Sequence, residues 1–149
     1  MVSSSPPGPG ICTAARVRKA SRRVSQIYDR HLAPYDLSVT QFGVLAQLKA
    51  TPGVGVGALA AAMIMDATTL SRNLRPLDRR GLVVAEVDRD DARLRKLKLT
   101  PAGRTTFDRA FVGWRAAQRQ VEQALGGPAE TGALNAALDR ALERLAGLD

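Results

Sequence analysis

The chain has 149 residues, of which 45% are hydrophobic, and it carries a formal net charge of +8. This length favours one domain with a buried core. A single cysteine and a single histidine exclude an intramolecular disulfide and a metal cluster of cysteine and histidine. No apolar stretch approaches the ~20 residues that a membrane span needs. The sequence therefore predicts a soluble, cytoplasmic protein without a metal or another cofactor.

The amino terminus is predicted to be a flexible tail followed by a helix. Residues 1–10, MVSSSPPGPG, have neither the apolar segment nor the basic leader of a signal peptide. Residues 11–33 carry apolar side chains at helical spacing, and basic residues lie mostly outside this stripe. The stripe consists of Val17, Val24, Ile27 and Leu32.

Three helices and a short extended segment are predicted next. Ser38 and Gln41 have the spacing of a capping box, which begins a helix, and Asp66 is the expected N-cap of another. The predicted elements are a helix that ends at the turn 51–53, a short strand at 54–56, a short helix at 58–63 and a helix from Asp66 to Arg80.

The helix predicted from Asp66 to Arg80 has two different edges. Leu70, Leu74 and Leu77 fall within about 60° of one another on a helical wheel. Hydroxyl and guanidinium groups occupy the opposite edge, at Thr68, Arg72, Arg75 and Arg79. Arginine suits bidentate contacts with guanine or phosphate, and small hydroxyl residues let a helix backbone approach DNA closely. This edge favours DNA contact, and a solvated charged face is the alternative.

Pro76 interrupts this helical pattern. A proline inside a helix removes one backbone donor and crowds the carbonyl four residues earlier, at a typical cost of ~3 kcal/mol. Because Pro76 lies beside the arginine edge, a bend at this point leaves the apolar edge intact. We expect a kinked helix, and the alternative is that the helix stops near Asn73.

After Gly81 the spacing of apolar residues becomes alternating, which predicts a β-hairpin. In its second strand Leu97 and Leu99 share one face, and Lys96 and Lys98 share the other. A threonine followed by proline then restarts a helix. The predicted elements are strands at 82–87 and 94–99, a polar turn at 88–92, a helix from Thr100 to Leu125 and a last helix through Leu145.

This order of elements is typical of a winged helix-turn-helix. We predict a mainly α fold with a small β-hairpin wing, in a single domain of residues 11–149. Its winged helix-turn-helix core spans about residues 38–100. The flanking helices, about 11–33 and 101–147, have apolar stripes that a second copy of the chain would cover, which predicts a homodimer.

The basic charge is concentrated in the first hundred residues. Residues 1–50 carry seven lysines and arginines against two acids, and residues 51–100 carry nine against six. Residues 101–149 carry six of each. Solubility alone does not require this asymmetry, so it favours a polyanionic partner.

Several short motifs carry a resemblance to a known family. They are Leu37-Ser38-Val39-Thr40-Gln41-Phe42, Leu59-Ala60, the helix from Thr68 to Gly81, Asp91-Ala92-Arg93 and Leu99-Thr100-Pro101-Ala102-Gly103. In this order and spacing the chain is similar to the MarR family of bacterial transcriptional regulators. The resemblance covers nearly the whole chain after the tail. It implies a homodimer joined by its terminal helices, with one helix in the major groove of double-stranded DNA and a wing arginine in the minor groove.

Transferred onto this chain, the resemblance implies a set of DNA contacts. The expected major-groove and phosphate contacts are Thr68, Thr69, Ser71, Arg72 and Arg75. Arg93 would enter the minor groove, where narrow A·T-rich stretches attract arginine. Asp91 would orient the wing through an ion pair with Arg93, and Arg89 would contact a phosphate. The function implied is that of a repressor that binds a pseudo-palindromic operator.

The resemblance also implies release by a small aromatic or phenolic effector. The residues that could line its pocket are Tyr28, His31, Phe42 and Trp114, although each is also a candidate for the core. Cys12 has two interpretations as well. It is either a small packing residue or, because a helix N-terminus lowers the pKa of a thiol, an oxidant sensor.

The sequence fits three rival functions less well than sequence-specific DNA binding. An enzyme is not predicted, because the sequence has no nucleophile with a nearby base, no phosphate-binding glycine loop and no carboxylate pair on an apolar face. A nonspecific architectural DNA-binding protein would need only the basic surface. A winged helix that binds protein is the third rival, and the arginines at positions 72, 75, 79 and 93 argue against it.

Overall fold

The computed structural model describes residues 12–148, and the tail predicted at residues 1–10 lies outside this range. The helices and strands follow the predicted order. The helices are α1 Thr13–Leu32, α2 Val39–Ala50, α3 Val56–Ala62, α4 Ala67–Arg79, α5 Pro101–Ala124 and α6 Pro128–Ala146. The strands are β1 Val54–Gly55, β2 Val83–Val87 and β3 Arg95–Leu99. A 3₁₀ turn at Ala33–Tyr35 joins α1 to the segment before α2.

Polar side chains cap the helices as the sequence predicts. Gln41 N–H donates to the Ser38 hydroxyl and Ser38 N–H donates to Gln41 Oε1, both at 3.1 Å, which completes the capping box of α2. Thr100 accepts the N–H of Gly103 at 3.0 Å at the start of α5. These bonds satisfy amide groups that have no partner within the helix.

The wing is an antiparallel sheet with the strand order β1-β3-β2. Val83 pairs with Leu99 and Val87 pairs with Arg95, which fixes the register of the hairpin. Leu97 and Leu99 are buried, and Lys96 and Lys98, which alternate with them, are half-buried, so the predicted alternation is confirmed. The short β1 strand adds the third ladder through the pair of Val54 and Leu97.

Helix α4 runs through Pro76 to Arg79, so the alternative of an end near Asn73 is wrong. Leu70 and Leu77 are fully buried on either side of the proline, and their burial holds both halves of the helix on the core. The kink at Pro76 stays a prediction. The amide of Arg80 donates to the Pro76 carbonyl at 3.2 Å, so the last turn closes normally.

The core is aliphatic and lies around α2, which packs against α1, α4, α5 and β3. The largest fully buried side chains are Leu32, Leu45, Leu48, Leu59, Leu70, Leu77 and Val44. Helix α5 also packs along α1 through Ala110, Ala117 and Val121. The same α5 therefore contacts the helix-turn-helix core, through α2 and β3, and both terminal helices, α1 and α6.

Helix α6 is nearly separate from the rest of the described chain, where Thr131 is its one buried residue. Its leucines form an exposed stripe: Leu138 is 44% exposed and Leu142 is 50% exposed. Phe111 and Val112 on α5 are exposed too. Within residues 12–148, no helix combines the length and the apolar character needed to cross a membrane.

Gly103 is required by a close approach between α5 and the segment before β2. A Cβ atom at this position would lie 2.0 Å from the Leu82 carbonyl oxygen, which is backbone and cannot rotate away. We therefore expect Gly103→Ala to lower the free energy of unfolding by about 1–3 kcal/mol, although alanine favours helices elsewhere. Urea denaturation measures this change. Gly132→Ala on α6 is the control, because a Cβ there meets nothing within 4 Å; a stabilised Gly103→Ala variant would contradict the close approach.

Candidate nucleic-acid interface

One edge of α4 presents the predicted hydroxyl and guanidinium groups to solvent. Thr68, Arg72 and Arg75 are exposed, and Ser71 is half-buried. Together with Ala67 these residues line one concave surface of about 290 Å³. The opposite edge is fixed to the core by Leu70 and Leu77, as described above. Because one edge is anchored, the other has a defined orientation and can enter a groove as a rigid unit.

Thr69 takes part in the helix cap of α4. Its amide donates to Asp66 Oδ1 at 2.8 Å, and its hydroxyl donates to Asp66 Oδ2 at 2.9 Å. These two hydrogen bonds are the main reason that the pKa of the Asp66 carboxyl lies below its usual value. The structure thus gives Thr69 an intramolecular partner, and its predicted contact with DNA stays a prediction.

A tight turn joins α3 to α4. Ile64 has a positive φ of 51°, a rare conformation for a β-branched residue. The amide of Met65 donates to the Ala60 carbonyl at 2.9 Å and closes the turn. Leu59 and Ala60, one of the sequence motifs, are buried directly before it. The motif therefore acts through packing, since it anchors the helix that precedes α4.

The wing tip carries the two predicted arginines, Arg89 and Arg93, and both are exposed. Asp91 lies between them, and its Oδ1 accepts the backbone N–H of Arg93 at 3.0 Å. The predicted ion pair between the Asp91 carboxylate and the Arg93 guanidinium is not formed in the described part of the chain, where the ion pairs involve lysines. A carboxylate two residues before an amide closes a local turn more readily than it reaches a long side chain. The prediction that Asp91 orients the wing remains, and its observed contact is with the backbone.

Asp88 anchors the turn at the tip of the wing, a role that was not predicted from the sequence. Its side chain is 8% exposed and forms an ion pair with Lys96 Nζ at 2.6 Å. It also accepts the N–H of Asp90 at 2.8 Å. The Lys96 ammonium group and then this amide hold the pKa of the Asp88 carboxyl below its usual value. The register of the hairpin could have predicted this pair, because it brings Lys96 on β3 close to the end of β2, which Asp88 directly follows.

We expect Asp88→Asn to destabilise the wing in a pH-dependent manner. A carboxyl whose pKa is lowered by folding stabilises the native state above its unfolded pKa of about 3.9 and loses this effect as pH falls through the folded pKa. The wild-type protein should therefore melt higher than the variant at neutral pH, and the difference should shrink below about pH 4. Calorimetry from pH 7 to pH 3 tests this, with Asp90→Asn as the control. A difference that is independent of pH would contradict the ion pair.

The predicted effector residues fall into two groups. Phe42 and Trp114 stack with ring centroids 6.2 Å apart, and Tyr28 lies 6.3 Å from Trp114. The Tyr28 hydroxyl donates to Gln118 Oε1, and burial, followed by the charge of Glu122, raises the pKa of this phenol. His31 is bonded elsewhere, with Nε2 2.8 Å from Gln120 Oε1.

These contacts place three of the four side chains in one aromatic cluster between α1, α2 and α5. Phe42 and Tyr28 are buried, and Phe42 also stacks on Phe107 at 4.8 Å. The cluster therefore contributes to the core, as the alternative interpretation of these residues holds. Whether it also opens to an effector stays a prediction.

Cys12 is the N-cap residue of α1 and is exposed, but its side chain makes no capping hydrogen bond. Within residues 12–148, no three side chains of the types His, Cys, Asp and Glu lie in an arrangement suited to a metal ion. The exposed thiol is compatible with both interpretations of Cys12 given above.

Comparison with known proteins identifies the family. A family model described as the MarR family matches residues 35–94, which span α2, α3, α4 and most of the wing hairpin. The transcriptional regulator HosA of Escherichia coli O127:H6 is 29% identical over 117 residues, which cover 68% of this chain and 87% of HosA.

Two solved structures extend the similarity beyond the wing. The Mycobacterium tuberculosis transcriptional regulator MosR, in complex with DNA, is 34% identical, covers 90% of this chain and 98% of its own, and superposes with a TM-score of 0.75. The transcriptional repressor CouR, bound to a 23-mer DNA duplex, is 27% identical, covers 92% of both chains and has a TM-score of 0.71. The matches include the terminal helices as well as the winged helix-turn-helix. This chain belongs to the MarR family of transcriptional regulators.

Proposed function

We propose that this protein is a homodimeric repressor that binds a pseudo-palindromic DNA operator and is released by a small-molecule effector. The observation that carries the proposal is the exposed edge of α4, where Thr68, Ser71, Arg72 and Arg75 share one concave surface. This edge has the residue types that bind DNA and lies on a rigidly anchored helix. MosR, which covers nearly the same fold, was solved with DNA.

Each part of the interface has a distinct role in this proposal. Arg72 and Arg75 reach guanine edges or flanking phosphates, and the smaller Thr68 and Ser71 allow the helix to approach the bases. The wing arginines contact the neighbouring backbone and minor groove, where they respond to groove width more than to base identity. The contacts of α4 therefore supply most of the sequence preference, and the wing supplies affinity that depends on salt.

The exposed apolar stripe of α6 is the reason that we propose a dimer. Its four leucines are Leu134, Leu138, Leu142 and Leu145, and each is at least 43% exposed. Exposing a contiguous apolar surface to water is unfavourable. Such surfaces usually mark sites where another protein binds. A second copy related by a two-fold axis covers the same stripe with itself and places two α4 helices about one DNA turn apart.

The proposal of repression is based on similarity to a repressor, and the proposal of effector release is based on the aromatic cluster. CouR is described as a repressor, and its similarity extends over the terminal helices of this chain. The cluster of Tyr28, Phe42 and Trp114 lies where α1 and α5 meet the DNA-binding core. An aromatic effector inserted there would change the angle between the core and the dimer helices, and so the distance between the two α4 helices.

Selection of genomic DNA tests the proposal. The purified protein is incubated with sheared DNA from its own genome, and the retained fragments are sequenced. We expect a single enriched pseudo-palindrome whose half-sites are ~10 bp apart. Retention that is uniform across the genome would favour the nonspecific architectural protein and overturn the proposal.

Cys12 is not expected to be needed for DNA binding. Replacing it with serine should change operator affinity by less than about threefold, because a single conservative change at an exposed position is normally a small perturbation. Fluorescence anisotropy with the selected operator measures the affinity of both proteins. The same assay after peroxide treatment separates the two interpretations of Cys12. Release of the wild-type protein but not of Cys12→Ser would show that Cys12 senses oxidants.

A further inference from the structure

A small polar cavity lies between the end of α4 and the first third of α5. Its volume is about 180 Å³. The residues around it come from the turn after α1, from the residue directly after α4, and from α5; they are Pro34, Tyr35, Asp36, Arg80, Thr106 and Arg109. The exposed edge of α4 contributes none of these residues, so the cavity is distinct from the DNA-binding candidates.

Arg80 is positioned in this cavity by the backbone. Its Nη1 donates to the Asp36 carbonyl at 2.5 Å and its Nη2 donates to the Tyr35 carbonyl at 3.2 Å. These two carbonyls fix the plane of the guanidinium group, but they carry no net charge and form no ion pair with it. A guanidinium group has five N–H donors, so three remain for another acceptor.

Arg109 adds a second guanidinium group from α5. Within residues 12–148, neither Arg80 nor Arg109 forms an ion pair with a carboxylate. Two like charges beside one cavity repel each other, and an oxyanion between them would relieve this repulsion. Thr106 adds a hydroxyl donor to the same wall.

Asp36 is the one acidic residue on the described wall of the cavity. It has a positive φ of 52°, and it makes no ion pair within the described residues. Its negative charge partly balances the two arginines when no anion is bound. The same charge repels an incoming anion. The net charge of the lining side chains is therefore positive, with two guanidinium groups against one carboxylate.

We infer that this cavity is a binding site for a small oxyanion, either a carboxylate or a phosphate group, held between Arg80 and Arg109. Arginine binds both groups through paired N–H donors, and such charge-assisted hydrogen bonds are among the strongest in proteins. The pre-positioned Arg80 lowers the ordering cost of binding. The bound anion would link the end of α4 to α5.

NMR titration of the full chain tests this inference without DNA. Inorganic phosphate and acetate are added separately at constant ionic strength, and the Nε–Hε resonances of Arg80 and Arg109 are followed. We expect saturable shifts of both resonances with at least one probe. The stronger of the two probes identifies the class of anion. Failure of DNA binding would not affect this readout, so the two proposals are tested separately.

Three variants make the test specific. Arg109→Gln should weaken anion binding by about tenfold, because it removes one charged donor group. Arg115→Gln, an exposed position on the same helix outside the cavity, should have no effect. Asp36→Asn should strengthen binding by about threefold, since it removes a nearby negative charge and asparagine tolerates positive φ.

The inference is overturned by any of three results. The first is that neither probe gives a saturable shift at the two arginines. The second is that Arg109→Gln and Arg115→Gln weaken binding equally, which would indicate a general charge effect. The third is that Asp36→Asn does not strengthen binding, since the carboxylate would then not face the anion.

Discussion

Replacing Arg72 with alanine should weaken operator binding by about 1–3 kcal/mol, which corresponds to roughly 5- to 150-fold in Kd. The guanidinium group is exposed on the edge of α4 that carries the concave surface, and no described ion pair holds it. If Arg72 contacts a base edge, the variant should also lose its preference at one position in each half-site. Anisotropy titrations against the operator and its single-base variants measure both effects.

Arg115→Ala is the matched control for this prediction. It removes the same charge from an exposed position on α5, away from the concave surface. A general decrease in positive charge would weaken both variants equally, and more so at low salt. Equal loss in the two variants, or no loss in Arg72→Ala, would mean that DNA binds to a different face of the protein.

The second large effect is expected from two acidic substitutions in α6. Leu138→Glu combined with Leu142→Glu should convert the dimer to a monomer. The dimer would lose four leucines, two from each chain, which are 44% and 50% exposed in the single chain. Covering this exposed half contributes about half of the ~1.5–3 kcal/mol of full burial for each leucine, so the dissociation constant should rise by at least about two powers of ten. Operator affinity should then fall towards that of nonspecific DNA, because a monomer contacts only one half-site. Sedimentation velocity and anisotropy measure the two consequences.

Folding of the monomer can be checked independently, since α6 buries so little against its own chain in the described structure. Circular dichroism should show that the double variant retains its helices. Ala136→Glu adds a negative charge on the opposite face of α6 and should leave the dimer intact. A double variant that still sediments as two chains would show that the α6 stripe is not the interface.

The sequence predicted those features of the fold that depend on neighbouring residues. The capping box of Ser38 and Gln41, the cap of α4 at Asp66 and the alternation of β3 each involve residues only a few positions apart. Such patterns act through hydrogen bonds within one turn or through one face of one strand. They can therefore be recognised before any tertiary contact is known.

Contacts between distant segments could not be predicted in the same way. Arg80 bonds to carbonyls 44 and 45 residues earlier, and the Asp88 pair depends on the register of two strands. Nothing in the sequence distinguished Arg80 from Arg79 beside it, and both arginines are exposed. The predicted ion pair of Asp91 and Arg93 is not formed in the described chain. The Asp91 carboxylate instead accepts the backbone N–H of Arg93 in a local turn, and the wing-orienting role of Asp91 stays a prediction.

The central claim is that two α4 helices, held at a fixed distance by the dimer, bind two half-sites of one operator. A change in half-site spacing tests it most directly. Inserting about 5 bp between the half-sites turns one of them by about half a helical turn, to the opposite side of the duplex. We predict that affinity for this duplex falls to that of a scrambled sequence, whereas scrambling only the central base pairs at the original spacing has a smaller effect. Unchanged affinity after the insertion would contradict the account, because it would show that the two half-sites are not bound together by one rigid dimer.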